Sequence, residues 1–208
     1  MNNTSNAVII AHDYLCPWCW IGLFQAKRLK EEFPEIEQDW RGFELLPESL
    51  GPLPEYKPRQ RDPNAPPSRL QVLAALDGIP IPENRTIGVV RTRLALLGAE
   101  YVKENVPELF DAYNEGVYRA FWEHSRDISR GEVLRDIAAK SGVDGGALLD
   151  SILAGRYADR IVEFDDDARA ADITHVPSFV FRGERCAEAP YSCIRGMAER
   201  FIAWYNKK

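Results

Sequence analysis

Two cysteines with two residues between them, Cys16-Pro17-Trp18-Cys19, are the side chains of this chain best placed to do chemistry. Thiols at this spacing can close a disulfide and reopen it. Their neighbours say where they sit. The apolar run Ala7-Val8-Ile9-Ile10-Ala11 upstream reads as a buried strand. Downstream, Gly22, Ala26, Leu29 and Phe33 fall on one stripe of an amphipathic helix. Pro17 suits a first helical position, where its missing N–H costs nothing. Cys16 is therefore expected at the helix cap, against unpaired N–H groups and the positive end of the helix dipole, both of which favour a thiolate. Cys19 returns to the same face one turn on. One sulfur is activated and the other is placed to resolve it, which is redox chemistry.

The rest of the chain supplies the frame. Ile36-Glu37-Gln38-Asp39-Trp40-Arg41 alternates like a half-buried strand, and the alternation slips at Gly42, which suggests a bulge or kink. Residues 51–67 hold six prolines and no apolar periodicity. They read as a connecting loop, either a solvated connector or a flap over the active site. A helical block over 68–154 follows. Ser68 can cap a helix bearing Leu70, Leu73, Ala74 and Leu76, ended by Gly78 and Pro80. A second helix is expected through Ile87, Val90, Leu94, Leu97 and Tyr101, and a third through Leu109, Tyr113, Val117, Phe121 and Trp122. Ser129-x-x-Glu132 predicts a capping box on a fourth with Val133, Leu134, Ile137 and Ala138. A short fifth spans 143–154. The aromatics Tyr113, Tyr118, Phe121 and Trp122 read first as core, and alternatively as the lining of a cleft facing the cysteines.

Residues 157–172 are expected as a last long helix carrying Ile161, Phe164, Ala168 and Ala171. Val176-Pro177 then leads into the strand Ser178-Phe179-Val180-Phe181, a turn at Arg182-Gly183-Glu184 and an antiparallel return. Pro190 opens a C-terminal helix with Ile194, Met197, Phe201 and Trp204 inward. The order is mixed α/β and thioredoxin-like, with a large all-helical insertion between the second strand and the strand that follows Pro177. In residue terms, 1–50 and 155–208 form the thioredoxin-like part, 68–154 the insertion and 51–67 the proline-rich connection.

Composition removes several function classes. With 208 residues and 45% hydrophobic side chains the chain can bury a sizeable core. A net charge of −6 argues against nucleic acid and anionic membrane as partners. The start, Met1-Asn2-Asn3-Thr4-Ser5-Asn6, lacks a basic, apolar leader pattern, and no uncharged apolar run reaches the ~18 residues of a membrane span. The expected location is cytoplasmic, where a Cys-x-x-Cys pair is catalytic or metal-binding rather than structural. No nucleophile elbow or phosphate-binding glycine loop is present.

Other candidates have plainer readings. Cys186 and Cys193 read as small buried hydrophobes, with a second disulfide or regulatory pair as the alternative. Their six-residue gap does not suit zinc, so no metal is expected. His12 and His175 could approach Cys16 and, if charged, favour its thiolate; a hydrogen-bonded structural role is the better reading for each, and His124 stands apart. Asp165-Asp166-Asp167 reads as a solvated helix face.

Three stretches together resemble a known family. Cys16-Pro17-Trp18-Cys19 at a strand-to-helix junction, Trp40-Arg41-x-Phe43-Glu44-Leu45 on the second strand and Val176-Pro177-Ser178-Phe179-Val180-Phe181 before a hairpin look like the DsbA superfamily. Arg126-Asp127-Ile128 and Ala189-Pro190-Tyr191-Ser192 are similar to its cytoplasmic FrnE-like branch. The resemblance implies a thiol–disulfide oxidoreductase, with isomerase activity in some members. It implies Cys16 as nucleophile, Cys19 as resolving thiol and Pro177 as a cis-proline, with Val176, Pro17 and Trp18 binding substrate. It implies no cofactor beyond the Cys16–Cys19 disulfide, with glutathione open as co-substrate. Partners would be protein or small-molecule thiols and disulfides, and a homodimer stays open. Two departures stand out. Ile10 occupies the place where such enzymes often carry a buried acid, leaving Asp13 or Glu44 as proton acceptors, although each reads more simply as a solvated or capping residue. Trp18 stands where an imidazole could have stabilised the thiolate, which predicts a mild oxidant. The same architecture also serves glutathione-dependent isomerases and transferases acting on small aromatics. Those usually place a serine at the position of Cys16, so the intact pair argues against them. A non-enzymatic redox sensor is the third reading.

Overall fold

A computed structural model describes residues 6–55, 62, 64–82, 85–163, 168 and 173–207. Five strands form one sheet in the order β3-β2-β1-β4-β5. β1 (Ala7–His12) lies at its centre, parallel to β2 (Glu37–Glu44) and antiparallel to β4 (Ser178–Phe181). β5 (Glu184–Ala187) pairs antiparallel with β4, and the two-residue β3 (Val162–Glu163) pairs parallel with β2. α1 (Pro17–Glu32) carries the chain from β1 to β2, as a parallel pair requires of its crossover. Its predicted stripe faces inward, with Gly22, Ala26 and Leu29 buried.

α2 (Arg69–Asp77) starts on a Ser68–Gln71 capping box and stops at Gly78, whose φ of +69° is the left-handed position that glycine fills without strain. α3 (Arg93–Asn105), α4 (Phe110–Trp122), α5 (Gly131–Lys140) and α6 (Gly145–Leu153) follow, and α7 (Tyr191–Tyr205) closes the chain. One apolar core runs from Val8, Ile10, Trp40 and Phe179 of the sheet to Tyr113, Val117, Phe121, Leu134 and Leu148 of these helices. Among the described residues no helix is long and apolar enough to cross a membrane.

Four expectations need correction. The second helix of the block begins at Arg93, not near Ile87, because the segment before it is spent on bonds to the β2 side. Arg91 donates to the carbonyls of Leu46, Pro47 and Gly51, and Thr92 donates to Asp13. The capping box at Ser129 is absent: Ser129 bonds Asp127 and Glu132 pairs with Arg130. Gly42 makes no bulge, since the β1–β2 register runs unbroken from Ala7↔Glu37 to His12↔Gly42. A Cβ there would meet Leu96 and Ile161 at 3.1 Å, so the glycine admits close packing on a strand end buried on both faces. Finally, 157–163 is not helical. Tyr157 takes φ +67°, a short 3-10 turn follows, and Val162–Glu163 joins the sheet. Of the remainder of that predicted helix, only Ala168, which is helical, is described. Phe164, Ala171, the Asp165-Asp166-Asp167 run and 56–61 of the proline-rich loop, with its flap reading, lie outside the described residues.

Candidate active site

The sheet register builds the site. Ala11 of β1 pairs with Ser178 of β4, so the end of β1 and the start of β4 deliver Asp13–Cys16 and Val176–Pro177 to the same place. Cys16 is the N-cap of α1 in extended conformation, with Pro17 at the first helical position. Its carbonyl accepts the amides of Cys19 at 3.0 Å and Trp20 at 3.3 Å. Its thiol donates to the Val176 carbonyl at 3.2 Å, across 160 positions of sequence. The Val176–Pro177 peptide bond is cis. The Pro177 ring packs on α1 where Gly22 leaves room, since a Cβ at Gly22 would stand 3.0 Å from Pro177 Cβ and Cγ.

Cys19 is fully buried, and all four cysteines are free thiols. Burial, and then the Cys16 thiol within hydrogen-bonding reach, push the Cys19 thiol well above its ordinary range. Pro17 and Trp18 are half-buried on the outer side of the turn. Trp18 lies toward α2, packed against Ile21, Leu73 and Ala74, with the Arg69 guanidinium 5.2 Å above its ring.

Asp13 and Glu44 are neither solvated nor idle. Asp13 Oδ1 accepts the Leu15 amide at 2.8 Å, and Oδ2 accepts the Leu45 amide at 2.7 Å and the Thr92 hydroxyl at 3.1 Å. One buried carboxylate thereby ties the cysteine loop to the end of β2 and the start of α3. Burial raises its pKa to about 6 although these hydrogen bonds pull the other way. Its charge also acts on Cys19. Glu44 pairs with Arg93 at 2.9 Å, and burial raises it despite that partner.

The histidines take structural places. His12 is buried and shares a 2.9 Å hydrogen bond with Tyr118, edge-on to Tyr14 and Trp40. Burial, and then the charge of Lys103, lower its pKa to about 3, so it is a neutral imidazole at pH 7. His175 is exposed and bonds Thr174, and His124 is exposed. The aromatic run on α4 is buried core, yet Tyr118 is close enough to feel the charges of both cysteines. Trp122 donates to the Tyr14 carbonyl at 2.9 Å, which fixes the loop from behind.

Thr92 and the Gly22–Pro177 contact escape the sequence reading. Only Gly22 left a signal, as a glycine inside a helix, where it costs ~1 kcal/mol against alanine unless something must come close.

The DSBA-like thioredoxin domain family matches residues 7–192. The chain belongs to that family. A Bacillus subtilis relative, described as uncharacterized protein YwbO, is 29% identical over 175 residues, which are 81% of this chain and 82% of that one. Solved structures with this fold include a probable DsbA oxidoreductase of Streptomyces coelicolor, with TM-score 0.69 and 21% identity over 95% of this chain and 90% of that one. The cytosolic disulfide reductase DsbM of Pseudomonas aeruginosa, solved with GSH, gives TM-score 0.62 and 16% identity over 97% and 98%. A 2-hydroxychromene-2-carboxylate isomerase gives 0.64 and 17% over 97% of each chain. At these identities the structures share the fold alone with this DsbA-like chain.

Proposed function

We propose that this DsbA-like protein is a thiol–disulfide oxidoreductase working through Cys16 and Cys19. The observation that carries the reading is the contact of the Cys16 thiol with the Val176 carbonyl, with the buried Cys19 thiol facing Cys16 from one turn on. Cys16 attacks one sulfur of a substrate disulfide as a thiolate, forming a mixed disulfide and releasing the other sulfur as a thiol. Cys19 gives up its proton, attacks Cys16 Sγ and expels the second substrate thiol, leaving the Cys16–Cys19 disulfide. Burial keeps Cys19 protonated until then, so the first attack falls to Cys16. Val176, whose carbonyl is the acceptor beside Pro177, and the half-buried Pro17 and Trp18 form the substrate-facing rim.

Substrates are protein or small-molecule disulfides, with glutathione as reductant and a cytoplasmic setting, in line with the FrnE-like resemblance. Isomerase activity follows if the mixed disulfide outlives resolution. The proposed exchange runs on the Cys16–Cys19 disulfide itself, with no further cofactor. Insulin reduction by dithiothreitol tests the reading: the wild type accelerates it, and Cys16→Ser falls to the uncatalysed rate. Should Cys16→Ser keep activity toward an aromatic glutathione acceptor, the glutathione-dependent isomerase reading replaces this one. A single oxidation without turnover would mark a sensor.

A further inference from the structure

We propose that Cys186 and Cys193 form a second, separate thiol–disulfide pair, in which exposed Cys193 takes up a small disulfide such as oxidised glutathione and Cys186 resolves it. Cys186 stands near the end of β5, paired with Phe179 and 8% exposed, while Cys193 is exposed in the first turn of α7. Cys186 and Cys193 stand at the two ends of the strand-to-helix turn, which brings their sulfurs near enough to act on each other. The turn is pinned before any bond forms. The Tyr191 amide donates to both Asp77 oxygens at 3.0 and 3.1 Å, Gln25 Nε2 donates to the Ala189 carbonyl at 2.9 Å, and the Cys193 amide donates to the Pro190 carbonyl at 2.9 Å. Arg69 holds Glu188 through both its carbonyl and its carboxylate. With the ends already held together, closing so short a loop costs little further chain entropy.

Exposure sets the order of events. The Cys193 thiol loses its proton and attacks one sulfur of the glutathione disulfide, making a Cys193–glutathione bond and releasing one glutathione thiolate, which takes up that proton. The Cys186 thiol then loses its proton and attacks Cys193 Sγ, and the second glutathione leaves as a thiol. Two electrons pass from the protein dithiol to the glutathione disulfide, and two glutathione thiols result. Burial, and then the facing Cys193, push Cys186 up to about 11, which suits it to the second step rather than the first.

The full-length wild type provides the test. Trypsin leaves both cysteines on one peptide, 186–195, and Cys16 with Cys19 on another, 1–27. The reduced protein is equilibrated in mixtures of reduced and oxidised glutathione, quenched in acid, alkylated in denaturant and digested without reductant. Peptide 186–195 should lose both alkyl groups and two hydrogens, going from about one tenth to about nine tenths bridged over roughly a hundredfold change in the glutathione ratio, and dithiothreitol should reverse it. Cys186→Ala should stop at a glutathione adduct on Cys193. Peptide 186–195 doubly alkylated even in oxidised glutathione alone, or a wild type that stops at the Cys193 adduct, overturns the proposal. An adduct on Cys186 in Cys193→Ser overturns the order of attack. Peptide 1–27, scored separately, reports on the Cys16–Cys19 reading and leaves this one untouched.

Discussion

Two strand-to-helix junctions in this molecule carry cysteines, and they are built differently. At the β1–α1 junction Cys16 caps the helix, Cys19 lies one turn in, and Gly22 one turn further receives the Pro177 ring. At the β5–α7 junction Cys186 stays on the strand, Cys193 sits in the first helical turn, and Gly196 one turn further meets only the far end of Arg200, at 3.6 Å. The first junction is covered by the cis Val176–Pro177 segment and by α4 behind the loop; the second stands at the surface. Both pairs keep one thiol out of water, so the difference lies in what meets the attacking sulfur: a backbone acceptor and a shaped rim at the first junction. A pair lacking the rim can change redox state but offers little to orient a protein substrate.

The largest effect expected from breaking this contrast is Cys16→Ser, which should lower insulin reduction by about two orders of magnitude or more, since no other sulfur meets the rim. Cys186→Ala, read in the same assay, should keep turnover within about threefold of the wild type, because its sulfur lies outside the exchange. Next come the glycines. Gly22→Ala pushes a methyl into Pro177, so Val176 and Pro177 must move off Cys16; activity should fall about tenfold, because small misplacements of reacting groups are costly. Gly196→Ala should leave activity alone and stabilise α7 by up to about 1 kcal/mol, the usual gain in a helix interior with free space. Equal losses in the two variants, read by insulin turnover and thermal unfolding, would remove the contrast between the junctions.

Much of this was legible in the sequence, and the reasons are local. The first junction announces itself because Cys-Pro-Trp-Cys follows an apolar run and precedes a helical stripe, all within a few residues. Capping at Ser68 and the stop at Gly78 were equally local. What failed depends on distant partners. Thr92 and Arg91 leave their helix because Asp13 and the Leu46–Gly51 carbonyls draw them across the fold. Val162 and Glu163 fall in a stretch that looks helical by spacing, yet the open edge of β2 takes them. Asp13 looked solvated because nothing in its neighbourhood reveals that Leu45 and Thr92 will close over it.

The adjacent pair His12 and Asp13 sharpens the contrast through pH, with a smaller effect. His12 is held at about 3 against an ordinary 6.5, so its neutral form adds stability above pH 6.5 that is lost as pH falls toward 3. Asp13 is held at about 6 against 3.8, so the sign reverses: burying its charge costs stability above pH 6, and that cost disappears as pH falls toward 3.8. Between pH 4 and 6 the unfolded chain gains a proton at His12 while the folded chain gains one at Asp13. The two slopes cancel. Asp13→Asn should therefore expose the histidine slope, with stability falling by about 1.4 kcal/mol per pH unit on acidification through this window. His12→Gln should show the opposite slope. Urea unfolding at pH 4, 5 and 6 reads both, and parallel curves for wild type and variants would refute the assignment.

The smallest effect concerns Arg69, a side chain that touches both junctions. Arg69 lies over the Trp18 ring between the first two cysteines and holds Glu188 between the second two. It is an exposed residue, so its contact with the ring is worth ~0.5–1 kcal/mol and its ion pair no more than that. Any coupling between the junctions that passes through Arg69 is bounded by the same figure. Arg69→Ala should shift the glutathione ratio at which peptide 1–27 becomes half-oxidised by no more than about fivefold. The Cys186–Cys193 state should lose whatever influence it has on that midpoint. A larger shift would mean that the exposed junction governs the buried one, and the division between a working pair and a surface pair would have to be redrawn.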